Sequence, residues 1–173
     1  MVSKIKDYEF QTQCVEVLIE KTVETTSKQV ITVKAPTGAG KTIILIKYVD
    51  EFLKNTAGNT AFVWLCPGKG NLEEQSKARM EEVTPHIDTR NLMYSMMAGF
   101  EPGSVTFINW ELVTKRGNTA LKDSERSNLF EKIAEAHKDG TEFVVIIDEE
   151  HLNNTKNCLL YTSPSPRDYA ASR

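Results

Sequence analysis

The run Ala35-Pro-Thr-Gly-Ala-Gly-Lys-Thr42 gathers residue types that suit one task, the holding of phosphate. Gly38 and Gly40 allow the backbone to curl, so that amide N–H groups of the stretch Thr37, Gly38, Ala39 and Gly40 converge on an anion. A helix opening at the end of the run adds its positive N-terminal pole. Lys41 places an ammonium between the β- and γ-phosphates of a nucleoside triphosphate, and Thr42 offers a hydroxyl to Mg²⁺. Far along the chain stands Asp148-Glu-Glu-His151, directly behind the apolar run Phe143-Val-Val-Ile-Ile147. Asp148 at a strand tip can hold Mg²⁺ through water. Glu149 can orient and deprotonate an attacking water. The chemistry these two groups could do together is Mg²⁺-assisted hydrolysis of a nucleoside triphosphate, with ATP and Mg²⁺ as the cofactors and Lys41, Asp148 and Glu149 as the catalytic set. Each motif alone has a plain structural reading, a glycine-rich turn or an acidic loop. The pair, each behind its own hydrophobic run, is far more specific.

The elements that must position these groups can be read from periodicity. Residues 8–25 carry Cys14, Val15, Leu18, Ile19 and Val23 at helical spacing. Residues 29–33, QVITV, form a β-branched run that predicts a strand leading into the phosphate loop. A helical pattern resumes over 43–53. Residues 61–66, AFVWLC, predict a strand buried on both faces. Residues 72–83 favour helix, 92–97 and 105–108 are further strand candidates, 124–138 predict a helix, and 143–147 predict the last buried strand. Alternating strands and helices argue for an α/β domain with a mostly parallel sheet. In such sheets ligands bind at the carboxyl ends of the strands, where both motifs fall.

Composition bounds the function classes. The chain has 173 residues, 40% of them hydrophobic, which is enough for one domain with a real core. A net charge of -3 and a pI of about 5.7 exclude a broadly basic nucleic-acid-binding surface, so any contact with DNA or RNA must be local. No apolar run is long enough for a bilayer, and the N-terminal stretch MVSKIKDYEF lacks the apolar core of a secretory signal. A cytoplasmic location is expected. Cys14, Cys66 and Cys158 show no metal-ligand spacing with each other or with His86, His137 and His151.

APTGAGKT together with DEEH resembles the first RecA-like domain of superfamily 2 helicases, in the DEAH-related branch. Ala35 stands where the general phosphate-loop pattern has Gly, and A-x-T-G-x-G-K-T is the form typical of helicases. Glu150 replaces the Ala of DEAH, at a position with no essential chemistry. The resemblance implies that His151 couples the nucleotide to the next motif. It implies that Phe10-Gln11 matches the aromatic–Gln pair of the entry helix, with Gln11 on the adenine edge. It places Pro67, Gly68 and Lys69 in a first nucleic-acid motif and Asn109, beside Trp110, in a second, as backbone contacts. Over residues 5–157 the chain is most similar to the helicase (R) subunit of type III restriction enzymes, on WLCPGKGNLEEQS, INWELVTK and IIDEEHLNNTK. A member of that family would translocate on double-stranded DNA using ATP, carry an endonuclease domain downstream and partner a methyltransferase subunit.

Residues 1–157 read as a truncated N-terminal ATP-binding domain. Residues 158–173, CLLYTSPSPRDYAASR, lose all periodicity and resemble a translated sequencing adapter. Two other readings stay open on the sequence. One is a helicase of another role, in phage replication, repair or RNA remodelling. The other is a P-loop protein that binds nucleotide without being a motor, against which a base such as Glu149 counts.

Overall fold

The computed structural model describes residues 8–24, 29–36, 38–56, 58–68, 71–111 and 123–148, with backbone alone over 123–128. Four strands, β1 (Thr60–Cys66), β2 (Asp88–Asn91), β3 (Ser104–Asn109) and β4 (Glu142–Ile147), form one sheet in the order β2-β3-β1-β4. Every pairing is parallel, with Trp64 opposite both Phe107 and Ile146. The helices are α1 (Glu9–Glu24), α2 (Lys41–Asn55), α3 (Leu72–Val83), α4 (Leu92–Ala98) and α5 (Asp123–Lys138).

The alternation of side chains along β1 builds the two faces of this three-layer domain. Phe62, Trp64 and Cys66 join Val105, Phe107 and Ile146 in a core shared with Val15 and Leu18 of α1, Ile44 and Val49 of α2 and Met80 of α3. Tyr48, Phe52 and Phe62 meet tilted or edge-on within it. Val63, Leu65 and Ile108 face the other way, onto Phe100, Leu129 and the half-buried Ile133 and Ala136 of α5. All seven residues of β1 are buried, as a central strand covered on both faces requires.

Two expectations fail. Residues 29–33 form no strand. Val30 is 73% exposed, and these residues pair with none of the four described strands. A β-branched run is a propensity that becomes a strand only when a ladder partner lies beside it. Residues 92–97 are helix, not strand. The strand is the preceding Asp88–Asn91, and Asn91 ends it by capping α4, its side chain accepting from the Tyr94 amide at 2.8 Å. Leu, Met and Ala then propagate the helix. The edge strand β2 escaped notice because it is polar. Its Arg90 is buried at 7% exposure, held by Asp88, Glu101 and the Gly99 carbonyl beneath the Tyr94 ring.

Candidate active site

Because all four strands run the same way, their C-terminal ends share one edge of the sheet, and the motif residues gather there. The phosphate loop adopts the predicted curl. Gly38 and Gly40 take φ of 84° and 77°, a region that side chains avoid, and Gly40 is the residue from which α2 starts. The Ala39 amide reaches the Pro36 carbonyl at 3.2 Å, and the Ile44 amide closes the first helical turn on Gly40 at 3.0 Å. Gly40, the N-cap of α2, has no side chain to cap the helix, so the helix start faces the loop with its positive pole. Lys41 and Thr42 occupy the first turn, half-buried.

Asp148 directly follows β4, 6% exposed, and its amide extends the ladder to the Leu65 carbonyl at 3.1 Å. Its Oδ2 accepts from Thr42 Oγ1 at 3.4 Å. The sequence separates these two residues and the fold joins them. A hydroxyl and a carboxylate at this spacing are the oxygen donors that Mg²⁺ takes. Adjacent ligands of an octahedral ion sit about 3 Å apart, so the pair fits one metal, directly or through a water.

Beside the pair opens a cavity of about 270 Å³, with Thr42, Asp148, Cys66, Ser76 and Arg79 in its wall. Burial pushes the Cys66 thiol up to about 12 against the pull of a hydrogen bond with Ser76, so it stays protonated at neutral pH and unreactive. Burial also raises the Glu73 carboxyl, with Glu74 adding to the shift and a hydrogen bond from the Asn109 backbone opposing it.

Pro67 is buried and Gly68 half-buried at the end of β1. Asn109 Oδ1 accepts from the Glu111 amide at 2.9 Å, the turn that short polar side chains favour. A Cβ on Gly68 would stand 2.7 Å from Asn109 Oδ1 and 2.8 Å from the Glu111 side chain, so the ends of β1 and β3 interlock around the missing methylene. Gly68 and Asn109, one from each stretch that the sequence assigns to nucleic acid, are thus in contact. The side chains of Glu73 and Glu111 lie beside Asn109, so the surroundings of that residue are acidic.

Gln11 is 4% exposed, donates from Nε2 to the Ala39 carbonyl at 3.1 Å and receives Lys47 Nζ at 3.4 Å on Oε1. Its amide group thus sits against the phosphate loop. Thr37, Lys69, Glu149 and His151 lie outside the described residues. Sequence reasoning passed over Lys47 and Arg79. Each is one cation among many on an amphipathic helix, and nothing in the periodicity separates them from solvated neighbours.

A parallel α/β sheet with a glycine-rich loop before α2 and a buried carboxylate meeting at its C-terminal edge is the arrangement of a RecA-like domain. The chain belongs to the family described as type III restriction enzyme, res subunit, which matches residues 4–165. That places it among helicase-type ATPase domains. A comparison with curated proteins returns no match. Among the described residues no helix is long and apolar enough to cross a membrane.

Proposed function

We propose that this chain is the ATP-binding and ATP-hydrolysing lobe of a DNA translocase in a type III restriction–modification system. The observation that carries the reading is the meeting of Thr42 Oγ1 with Asp148 Oδ2 at 3.4 Å above an uncapped helix start. In this reading the amides of Thr37, Gly38, Ala39 and Gly40 hold the β-phosphate, Lys41 bridges the β- and γ-phosphates, and Thr42 and Asp148 hold Mg²⁺. Bound there, the metal neutralises charge that develops on the phosphates. Glu149, next in sequence to Asp148, takes the role of base toward water, and His151 that of coupling to the rest of the motor. Gly68, Lys69 and Asn109 form a positioning surface for the DNA backbone, with the buried Pro67 beneath it rather than in contact, and the resemblance to the R subunit implies a methyltransferase subunit as partner.

Calorimetric titration of the chain with ATP tests the reading. MgATP should bind, binding should weaken when Mg²⁺ is chelated, and Lys41→Ala should lower affinity at least tenfold, since it removes a charge-assisted contact to two phosphates. Equal affinity in the wild type and Lys41→Ala would exclude the site.

A further inference from the structure

One face of α3 is more polar than packing on a sheet requires. Leu72, Gln75, Ser76 and Arg79 follow the i, i+3, i+4, i+7 spacing and so share that face. Met80 is the one apolar residue of α3 that is buried, with Leu72 and Val83 half-buried against the core. Ser76 is buried as well, a polar residue at an inward position. The face does not close on its neighbours. It borders the cavity of about 270 Å³, to which α2 and the end of β4 bring Thr42 and Asp148 and α3 brings Gln75, Ser76 and Arg79. A water takes roughly 30 Å³ of liquid, so the cavity holds several waters, or one small oxyanion with water around it.

The polar groups of this face can donate to an oxyanion. Arg79 offers a planar fork of N–H groups that matches a phosphate. Its Nη1 is engaged by Glu82, but the two side chains are 40% and 53% exposed, and a surface pair of that kind contributes little. Burial keeps the Cys66 thiol protonated, so its S–H can serve Ser76 Oγ and leave the Ser76 proton for a ligand. Asp148 and Glu73 oppose an anion here, for the charges of both bear on Cys66. A dication on Thr42 and Asp148 offsets them. The cavity therefore suits an anion once the metal is in place, and hydrolysis produces one beside it. The reaction joins a water oxygen to the γ-phosphorus, breaks the bond to the bridging oxygen, leaves that oxygen on ADP and frees inorganic phosphate.

We propose that this cavity is a receiving site for inorganic phosphate, the product of hydrolysis, held by Arg79 and Ser76 after the bond to ADP has broken. The inference rests on the nucleotide-binding reading above. It makes Arg79 a product-binding residue, distinct from a contact with the γ-phosphate while that group is still attached.

Phosphorus NMR titration of inorganic phosphate against the full 173-residue chain, saturated with MgADP, tests the proposal. Phosphate should bind the wild type. Arg79→Met should weaken it about tenfold, the loss of a charge-assisted contact, and Ser76→Ala about threefold. Glu82→Gln releases Arg79 and should tighten phosphate, a gain that a misfolded variant cannot give. Each variant is also titrated with MgADP and with MgATP. Weaker phosphate binding in Arg79→Met, beyond any change for the nucleotides, supports the receiving site. A loss for either nucleotide as large as that for phosphate assigns Arg79 to the bound nucleotide and overturns the proposal. Equal phosphate binding in the wild type, Arg79→Met and Glu82→Gln overturns it too, as does a wild type that binds MgADP and no phosphate. A wild type that binds no MgADP overturns the nucleotide reading itself, and the proposal with it.

Discussion

Glu73 and Asp148 are both acids near the ends of strands, and their surroundings give them different work. Asp148 faces a hydroxyl donor at the mouth of the cavity. Glu73 is half-buried with its carboxyl raised by burial. Its folded-state value lies above the roughly 4.3 of an unfolded glutamate, so the native chain holds the proton more tightly in the interval between them. The stability this contributes is fully present below the unfolded value and is lost as pH rises through the folded one. Glu73→Gln removes the ionisation and keeps an oxygen for the Asn109 amide. The variant should therefore gain in urea midpoint over the wild type at pH 7 and show little gain at pH 4. A gain confined to pH 4 would mean that the carboxylate form is the one the fold favours. At this scale the sequence was legible where local residue types set the backbone, as at Gly38 and Gly40, whose positive φ the glycines permit. It was not legible where the partner arrives through the fold. Gln11 stands out in the sequence, yet nothing there reveals that Lys47 and the Ala39 carbonyl bracket it.

Elements followed the same division. β1, β3 and β4 are apolar runs that lie within a residue of their predicted bounds, but only β1 and β3 are buried as expected; β4 is the edge of the described sheet, with Ile146 buried and Val145 54% exposed. β2 is polar and was passed over, while the apolar residues after it were read as strand although a cap at Asn91 starts a helix there. Hydrophobic pattern cannot separate a short helix from a short strand, and here the cap decides. The loops after β1 and β3 show an interaction between elements that no pattern announces, the seating of Asn109 and Glu111 against Gly68. Gly68→Ala must push Asn109 Oδ1 off the Glu111 amide and should cost about 1–2 kcal/mol in urea unfolding. Asn109→Ala removes the same hydrogen bond and should cost about 1 kcal/mol. Because both changes break one contact, the double variant should lose less than the sum of the two. Strict additivity would show that the two loops are energetically separate and could not act as one surface on DNA.

For the whole molecule, parallel pairing does what no single motif can, bringing Thr42 of α2, Asp148 after β4, Gly68 after β1 and Asn109 at the end of β3 to one edge. That arrangement explains binding better than it explains turnover. Phosphoryl transfer places charge on the γ-phosphate oxygens, and enzymes of this kind neutralise it with a cation aimed at that point, worth about 10³–10⁵ in rate where it is an arginine. In the cavity beside Thr42 and Asp148 the lining arginine is Arg79, and its guanidinium is engaged by Glu82 of the same helix. The resemblance to superfamily 2 helicases implies that the charge completing such a site comes from arginines of a second RecA-like lobe. The chain should then bind MgATP and release phosphate slowly, at a rate that long double-stranded DNA leaves unchanged. Phosphate release measured with and without DNA, at saturating MgATP, checks this. DNA-stimulated release that Lys41→Ala abolishes would mean that the edge of this one sheet already holds a complete motor site. Arg79, freed from Glu82, would then be the first residue to examine as its cation.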